Sequence, residues 1–351
     1  MEEVYKRFAK HLDDLPAGFP ATDSGVELRI LQQMFTPEEA EAAMGLQMKV
    51  EPVSIIAERL NTDEESTAST LEKMAQKGLV IKFSRGGVHQ YMAAQFMIGI
   101  WEYHVNQLDE ALIKDFHEYS PYLAKEWADL ETKQLRTIPV AQSVSAEMKI
   151  MPYDEAEQII KSQSKIVVAP CICRKEQKMG GNGCDKPIDN CLIFSGGAYL
   201  YEERGIGRPI TQDEALKILN EAVDAGLVIQ PGNSQKSLNI CLCCGCCCQM
   251  LKTLKSADKP ALAANSSYYA VVDEEACTAC GICEERCQMD AIAVEDTSQI
   301  DSDRCIGCGL CVPTCDFDAI RLLEKENTEK WVPPQTMIDT FLNIAKERGK
   351  V

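Results

Sequence analysis

Eight cysteines near the carboxyl end carry the clearest chemistry. Cys277, Cys280, Cys283 and Cys287 follow the spacing C-x2-C-x2-C-x3-C, and Cys305, Cys308, Cys311 and Cys315 repeat it with every pair offset by 28 residues. The repeat extends to Asp290-Ala291-Ile292 and Asp318-Ala319-Ile320. Three thiolates two residues apart can grip one iron-sulfur cube only if the loop turns tightly and aims its amides inward, and Gly281, Gly307 and Gly309 permit that path. Two zinc knuckles would need only C-x2-C pairs and would leave the third cysteine of each triplet over.

Ten further cysteines fall in two groups, Cys171, Cys173, Cys184 and Cys191, then Cys241, Cys243, Cys244, Cys246, Cys247 and Cys248. Adjacent side chains cannot all reach one metal. The first group with part of the second would supply one or two extra sites, and at least one additional iron-sulfur cluster is the favoured reading; zinc, a vicinal disulfide and spare thiols are the alternatives. Cys171-Ile172-Cys173-Arg174 follows a strand end, where Arg174 and Lys175 would offset cluster charge. The four histidines, His11, His89, His104 and His117, do not cluster. There is no G-x-G-x-x-G, Walker A, nucleophile elbow or H-E-x-x-H, so a separate nucleotide, flavin or hydrolase site has no support.

The whole chain bears out a metal reading of its 18 cysteines. None precedes Cys171, and Met1 to Lys10 lacks the apolar core of an export signal, so the thiols are expected in a reducing cytoplasm. The most apolar stretch, roughly Tyr91 to Trp101, is far short of the ~20 residues of a bilayer span, so no membrane insertion is expected. At 351 residues, 45% hydrophobic and 26% charged, the chain has room for two or three folded domains. Its net charge of −18 disfavours DNA and suits docking onto basic patches of redox partners, though it also serves solubility.

Four segments must position these cysteines. Residues 1–118 read as a winged-helix-like domain. Thr36 with Glu39, and Thr62 with Glu65, form capping boxes; helices end near Asn61 and at Gly78; a hairpin follows, with Leu79 to Phe83, a turn at Ser84-Arg85-Gly86-Gly87, and Val88 to Met92. The second helix offers Thr67, Thr70, Lys73, Gln76 and Lys77 as a recognition face. Yet ten Lys and Arg stand against eighteen Asp and Glu over Met1 to Glu110, a net of −8, so protein docking or homodimerisation outranks DNA binding here. Residues 119–262 read as a mixed α/β cysteine-rich domain. It has a strand at Ile166 to Ala169 ended by Pro170, a helix from Thr211 to Gly226, and a hairpin at 227–242 that suggests a second winged-helix-like unit. Residues 263–325 hold the eight-cysteine repeat. The tail, 326–351, carries an amphipathic helix with Met337, Ile338, Phe341, Leu342 and Ala345 that should dock on the body.

Residues 268–324 resemble the bacterial two-cluster ferredoxins. The resemblance implies a pseudo-symmetric β-α-β fold in which the fourth cysteine of each motif serves the other cube. By that rule one 4Fe-4S cluster takes Cys277, Cys280, Cys283 and Cys315, and the second takes Cys305, Cys308, Cys311 and Cys287. Gln288 and Asp316 stand where the family usually has proline, which is no ligand. Ala169-Pro170-Cys171-Ile172-Cys173-Arg174, then Cys243-Cys244-Gly245-Cys246-Cys247-Cys248, then the repeat, give the chain a further likeness. It resembles a family of iron-sulfur proteins from anaerobic bacteria with a winged-helix-like amino terminus. Cys243-Cys244-Gly245 is also similar to the CCG motif of heterodisulfide reductases.

The expected fold class is therefore α+β, with the winged-helix-like domain, the mixed middle domain, the dicluster ferredoxin domain and a carboxy-terminal helix in that order. The expected function is single-electron relay through two or more 4Fe-4S clusters to or from an oxidoreductase partner or complex, as a carrier or redox subunit rather than a stand-alone catalyst. The alternatives are a redox-sensing winged-helix regulator and an oxidoreductase with its site at the middle cysteines.

Overall fold

Thr36 anchors the start of the helix Pro37–Ala43. Its hydroxyl accepts the Glu39 amide at 3.2 Å, and the Glu39 carboxylate accepts the Thr36 amide at 2.9 Å, the expected reciprocal box. The helices Val53–Leu60 and Glu64–Lys77 end where expected, at Asn61 and Gly78, with φ of 54° and 87°. The second box is not formed as expected. Asp63 caps Glu64–Lys77 instead, accepting the Ser66 amide at 2.8 Å, while the Thr62 hydroxyl lies 2.7 Å from that of Thr67. A carboxylate is the better partner for the positive end of the helix. Thr67, expected on the outer face, is buried and donates to the Asp63 carbonyl.

These elements lie in the first of two units that the computed structural model describes over residues 2–326 and 329–351; this unit comprises Met1–Trp127, Leu200–Ile206 and Ile344–Val351. Its strands β1 (Glu51–Pro52), β2 (Val80–Arg85) and β3 (Val88–Ala93) form an antiparallel sheet in the order β1-β3-β2. Gly86 and Gly87 both take positive φ, as a two-residue hairpin turn requires. Phe19, Phe96, Trp101, Phe116 and Tyr119 fill the core, with the Trp101 and Phe116 rings stacked at 3.8 Å.

The second unit comprises Ala128–Tyr199 and Gly207–Asn343. Strands β4 (Ile166–Pro170), β5 (Asp189–Phe194), β6 (Arg208–Ile210), β7 (Val228–Pro231) and β8 (Asn239–Cys243) form one antiparallel sheet, ordered β6-β4-β5-β8-β7. Thr211 caps the helix Gln212–Asp224, accepting the Glu214 amide at 3.2 Å, and Ala215, Leu219, Ala222 and Val223 of this helix lie in the core beside the sheet. The expected hairpin β7-β8 forms. Because β8 also pairs with β5, that hairpin is one edge of a continuous sheet and no separate wing.

Strands β9 (Tyr268–Val272), β10 (Ile292–Val294), β11 (Ser298–Ile300) and β12 (Ile320–Glu324) complete the unit, β9 pairing with β12 and β10 with β11. The offset of 28 persists in the backbone: Asp290 and Asp318 take φ of 51° and 52°, Gly281 and Gly309 take 81° and 71°, and Ala279 and Gly307 take 54° and 67°. Each copy is a strand, a cysteine loop, a helical turn and a strand. One core joins this segment to the sheet, since Ile229, Leu242, Cys244 and Cys247 cluster with Met289, Ala291, Ile306 and Leu310.

The tail as far as Asn343 belongs to this unit, and its end, Ile344–Val351, to the first. The Trp331 indole donates to Asn233 Oδ1 at 2.8 Å, and the Gln235 amide donates to the Pro334 carbonyl at 2.8 Å. The buried face of the helix Met337–Glu347 differs from the expected one. Met337 and Ala345 are buried, but Ile338 and Leu342 are 70% and 45% exposed. Thr340 takes the inner position, because its hydroxyl donates to the Asn233 carbonyl. Among the described residues no helix is long and apolar enough to cross a membrane.

Candidate metal centres

The two cysteine loops hold their sulfurs by exchanging amides between repeats. The Ser298 amide donates to Cys277 Sγ at 3.3 Å, and the Ala270 amide donates to Cys305 Sγ at 3.4 Å. Ser298 and Cys305 sit one repeat after Ala270 and Cys277, so the two bonds are symmetry mates. The Ala291 amide donates to Cys287 at 3.3 Å, and the Ser298 hydroxyl lies 3.4 Å from Cys283. Left-handed Gly307 and Gly309 bring these loops against backbone and side chain: a Cβ would meet the Tyr268 carbonyl oxygen at 2.1 Å and Ser143 Oγ at 2.1 Å.

Cys277, Cys280, Cys283 and Cys315 line one cavity of about 340 Å³, part of it open to solvent, together with Ser298, Phe317 and Ile320. The first three come from one loop and Cys315 from the end of the other. Cys280 is exposed and Cys283 buried. The remaining four gather deeper. Burial pushes the Cys308 thiol up to about 12; the Leu310 amide opposes the rise, and Cys287 and Cys305 add to it. Cys311 is raised well above its ordinary value by burial, then by Cys308, Cys305 and Cys287. Four soft donors around one cavity, and four more close enough to influence one another, form a donor set that suits iron-sulfur cubes.

Residues 270–293 and 298–321 each match the family described as the 4Fe-4S binding domain. The chain is an iron-sulfur protein. The two adjacent matches, themselves 28 residues apart, make the carboxy-terminal segment a ferredoxin-type domain for two 4Fe-4S clusters. Comparison with curated proteins and with solved structures gives no match.

The middle cysteines of this iron-sulfur protein divide into two sets. Cys184, Cys244, Cys246 and Cys247 converge, with Cys247 to Cys184 at 3.6 Å, Cys246 to Cys247 at 3.7 Å and Cys184 to Cys244 at 3.9 Å. The neighbours Cys246 and Cys247 share this set because the segment turns between β8 and the helix Gln249–Ser256, where strand alternation no longer separates adjacent side chains. The other six form a chain of thiol contacts running Cys171, Cys173, Cys248, Cys243, Cys241, Cys191. They sit at one end of the sheet, on β5 and β8, just after β4 and at the starts of two helices; Cys171 and Cys248 occupy the N-cap positions.

Arg174 lies against both sets. Its side chain is 2% exposed, and it donates to Asn190 Oδ1 at 3.1 Å and to the Leu242 carbonyl, leaving Nε and Nη1 with no hydrogen-bond partner among the described residues. Burial opposes its charge, but Cys171, Cys244, Cys243 and Cys184 outweigh that and hold the guanidinium firmly protonated. The histidines do not join these sites; buried His104, for example, has Nδ1 at 2.7 Å from the Ile100 carbonyl. Sequence reasoning missed two polar neighbours of the sulfurs, Ser298 and Asn239, the latter donating to Cys241 Sγ at 3.5 Å. Only for Ser298 was there a signal, its place one repeat after Ala270.

Proposed function

We propose that this chain is an electron-transfer protein that relays single electrons to or from an oxidoreductase partner. The carrying observation is the asymmetry of the two cysteine sets in the ferredoxin-type domain. Cys277, Cys280, Cys283 and Cys315 line a cavity open to solvent, whereas Cys287, Cys305 and Cys308 pack against the core that contains Cys244 and Cys247. We assign the first set to one 4Fe-4S cluster and Cys305, Cys308, Cys311 and Cys287 to the other, in the crossed manner of bacterial two-cluster ferredoxins. Such clusters supply one-electron chemistry.

Around the open set the chain exposes Ile282 and Phe317, 44% and 52% accessible, beside Cys280. Apolar side chains ringed by acidic ones suit a docking face for a redox partner with basic margins. The six-cysteine chain at the sheet end supports an additional iron-sulfur cluster there, with Arg174 offsetting its charge. The amino-terminal helices and the β1-β3-β2 sheet support a winged-helix-like reading, used for protein docking or dimerisation given its acidic composition. Grouped thiols suit a reducing cytoplasm, and the order of motifs suits an anaerobe iron-sulfur family.

The test is anaerobic purification followed by iron and sulfide analysis and EPR of the reduced protein. Two interacting cluster signals and at least about eight irons per chain are expected. Folded, colourless, iron-free protein would sink the reading.

A further inference from the structure

We infer that Cys184, Cys244, Cys246 and Cys247 hold a single tetrahedral metal ion, zinc or iron, separate from every iron-sulfur cluster. Their four Sγ atoms all lie within 4.8 Å of one another, the one such quartet among the described residues. Four thiolates bound to one ion at about 2.3 Å must stand about 3.8 Å apart, the edge of the tetrahedron. Three of their contacts, at 3.6, 3.7 and 3.9 Å, match that edge. A cubane spreads its ligands wider, since each thiolate projects from a different corner, and none of the eight ferredoxin cysteines falls in so tight a group among the described residues.

The surroundings fit a metal-thiolate centre. Backbone amides of Lys186, Cys247 and Cys184 act on the sulfurs of Cys184, Cys244 and Cys247. Amide donors of this kind spread the negative charge of bound thiolates. A divalent ion with four thiolates carries a net charge of two minus, which a buried site needs a cation to offset; the unpartnered Nε and Nη1 of Arg174 supply one from a fully buried side chain. Two glycines shape the ligand loops. A Cβ on Gly183 would lie 2.5 Å from Lys178 Cα, so glycine alone lets Cys184 swing in, and Gly245 makes the same concession between Cys244 and Cys246. Cys244 and Cys247 are buried and Cys246 is exposed, so one corner faces solvent.

The test uses full-length protein purified without oxygen, in the natural form and as the double variant Cys184→Ser, Cys246→Ser. The expected result is the loss of one metal ion per chain, read as zinc or as iron, with acid-labile sulfide and the reduced-cluster EPR intensity unchanged. Loss of iron and sulfide together in equal amounts would make the quartet a cluster ligand set and overturn the inference; no loss of metal would overturn it as well. Should the variant not fold, zinc K-edge absorption and Mössbauer spectra of the natural protein decide. One zinc per chain in a shell of four sulfurs, or a mononuclear iron component, is expected, and finding neither overturns the site. The electron-relay reading rests on other cysteines, so the cluster signals report its failure separately.

Discussion

The Gly245 amide donates to Gln288 Oε1 at 2.9 Å, and the carbonyl oxygen of Gln288 lies 2.1 Å from where a Cβ on residue 245 would stand. Gln288 follows Cys287 at the position where two-cluster ferredoxins usually carry proline. The departure from that pattern therefore makes the seam between the ferredoxin-type segment and the cysteine-dense turn. Proline there would have no side-chain oxygen for the Gly245 amide.

Gly245→Ala should displace that seam, because the obstacle is backbone and cannot rotate away. A loss of about 1–3 kcal/mol in unfolding free energy is expected, read by anaerobic denaturant titration. Gln288→Ala removes only the hydrogen bond and should cost about 1 kcal/mol. Equal costs would contradict the close approach.

Crossed ligation makes an asymmetric prediction for two single variants. Cys315→Ser should perturb the solvent-facing cluster, although its three sequence neighbours in the same motif belong to the inner one. Cys287→Ser should do the converse. EPR of each reduced variant, with a small paramagnetic relaxant to mark the cluster nearer solvent, separates the outcomes; an uncrossed arrangement would reverse them.

Ser298→Ala should make the outer cluster harder to reduce. Its hydroxyl, 3.4 Å from Cys283 Sγ, can donate to the ligand sulfur and so stabilise the added electron. The Ser298 amide to Cys277 survives the change, so the shift should be modest and confined to one of two waves in voltammetry. An unchanged potential would remove the hydroxyl from the list of tuning groups.

Asp154 and Arg136 form a buried pair at 2.8 Å, with the Tyr268 hydroxyl 3.3 Å from the carboxylate. Burial pushes the Asp154 carboxyl up to about 6, and Arg136 and Tyr268 pull it down. Asp154→Ala would leave the guanidinium, 1% exposed, without its counter-charge. A loss of about 3–5 kcal/mol is expected in unfolding experiments. Joint replacement of both residues by apolar ones should cost far less.

The acidic amino-terminal segment should not bind DNA. Of its proposed recognition face, Thr67 is buried and Lys77 pairs with Glu39 at 2.6 Å, which leaves little positive charge to meet phosphate. Gel-shift assays at low salt, in both oxidation states, should show no complex. A shift that depends on oxidation state would revive the regulator.

Local signals survived folding where the cause was local. The Thr36 box, the left-handed Asn61 and Gly78, the Thr211 cap and the Gly86-Gly87 turn all depend on backbone geometry within a few residues, so their residue types announce them. Where two side chains compete for one local role, the outcome depends on the path of the chain. That is why Asp63 displaced Thr62 at a helix start, and why Thr340 took the inner face of the last helix from Ile338 and Leu342.

The amino-acid sequence by itself determined the iron-sulfur chemistry of the carboxy-terminal third. A spacing repeated at an offset of 28 fixes which sulfurs leave each loop together and which leaves a turn later. It could not divide the ten middle cysteines, since Cys184 is 60 residues from Cys244 and nothing local relates them. Tertiary packing decided that division into four and six: the order β4-β5-β8 carries distant cysteines to one end of a sheet, and the turn around Gly245 turns Cys244, Cys246 and Cys247 together toward Cys184.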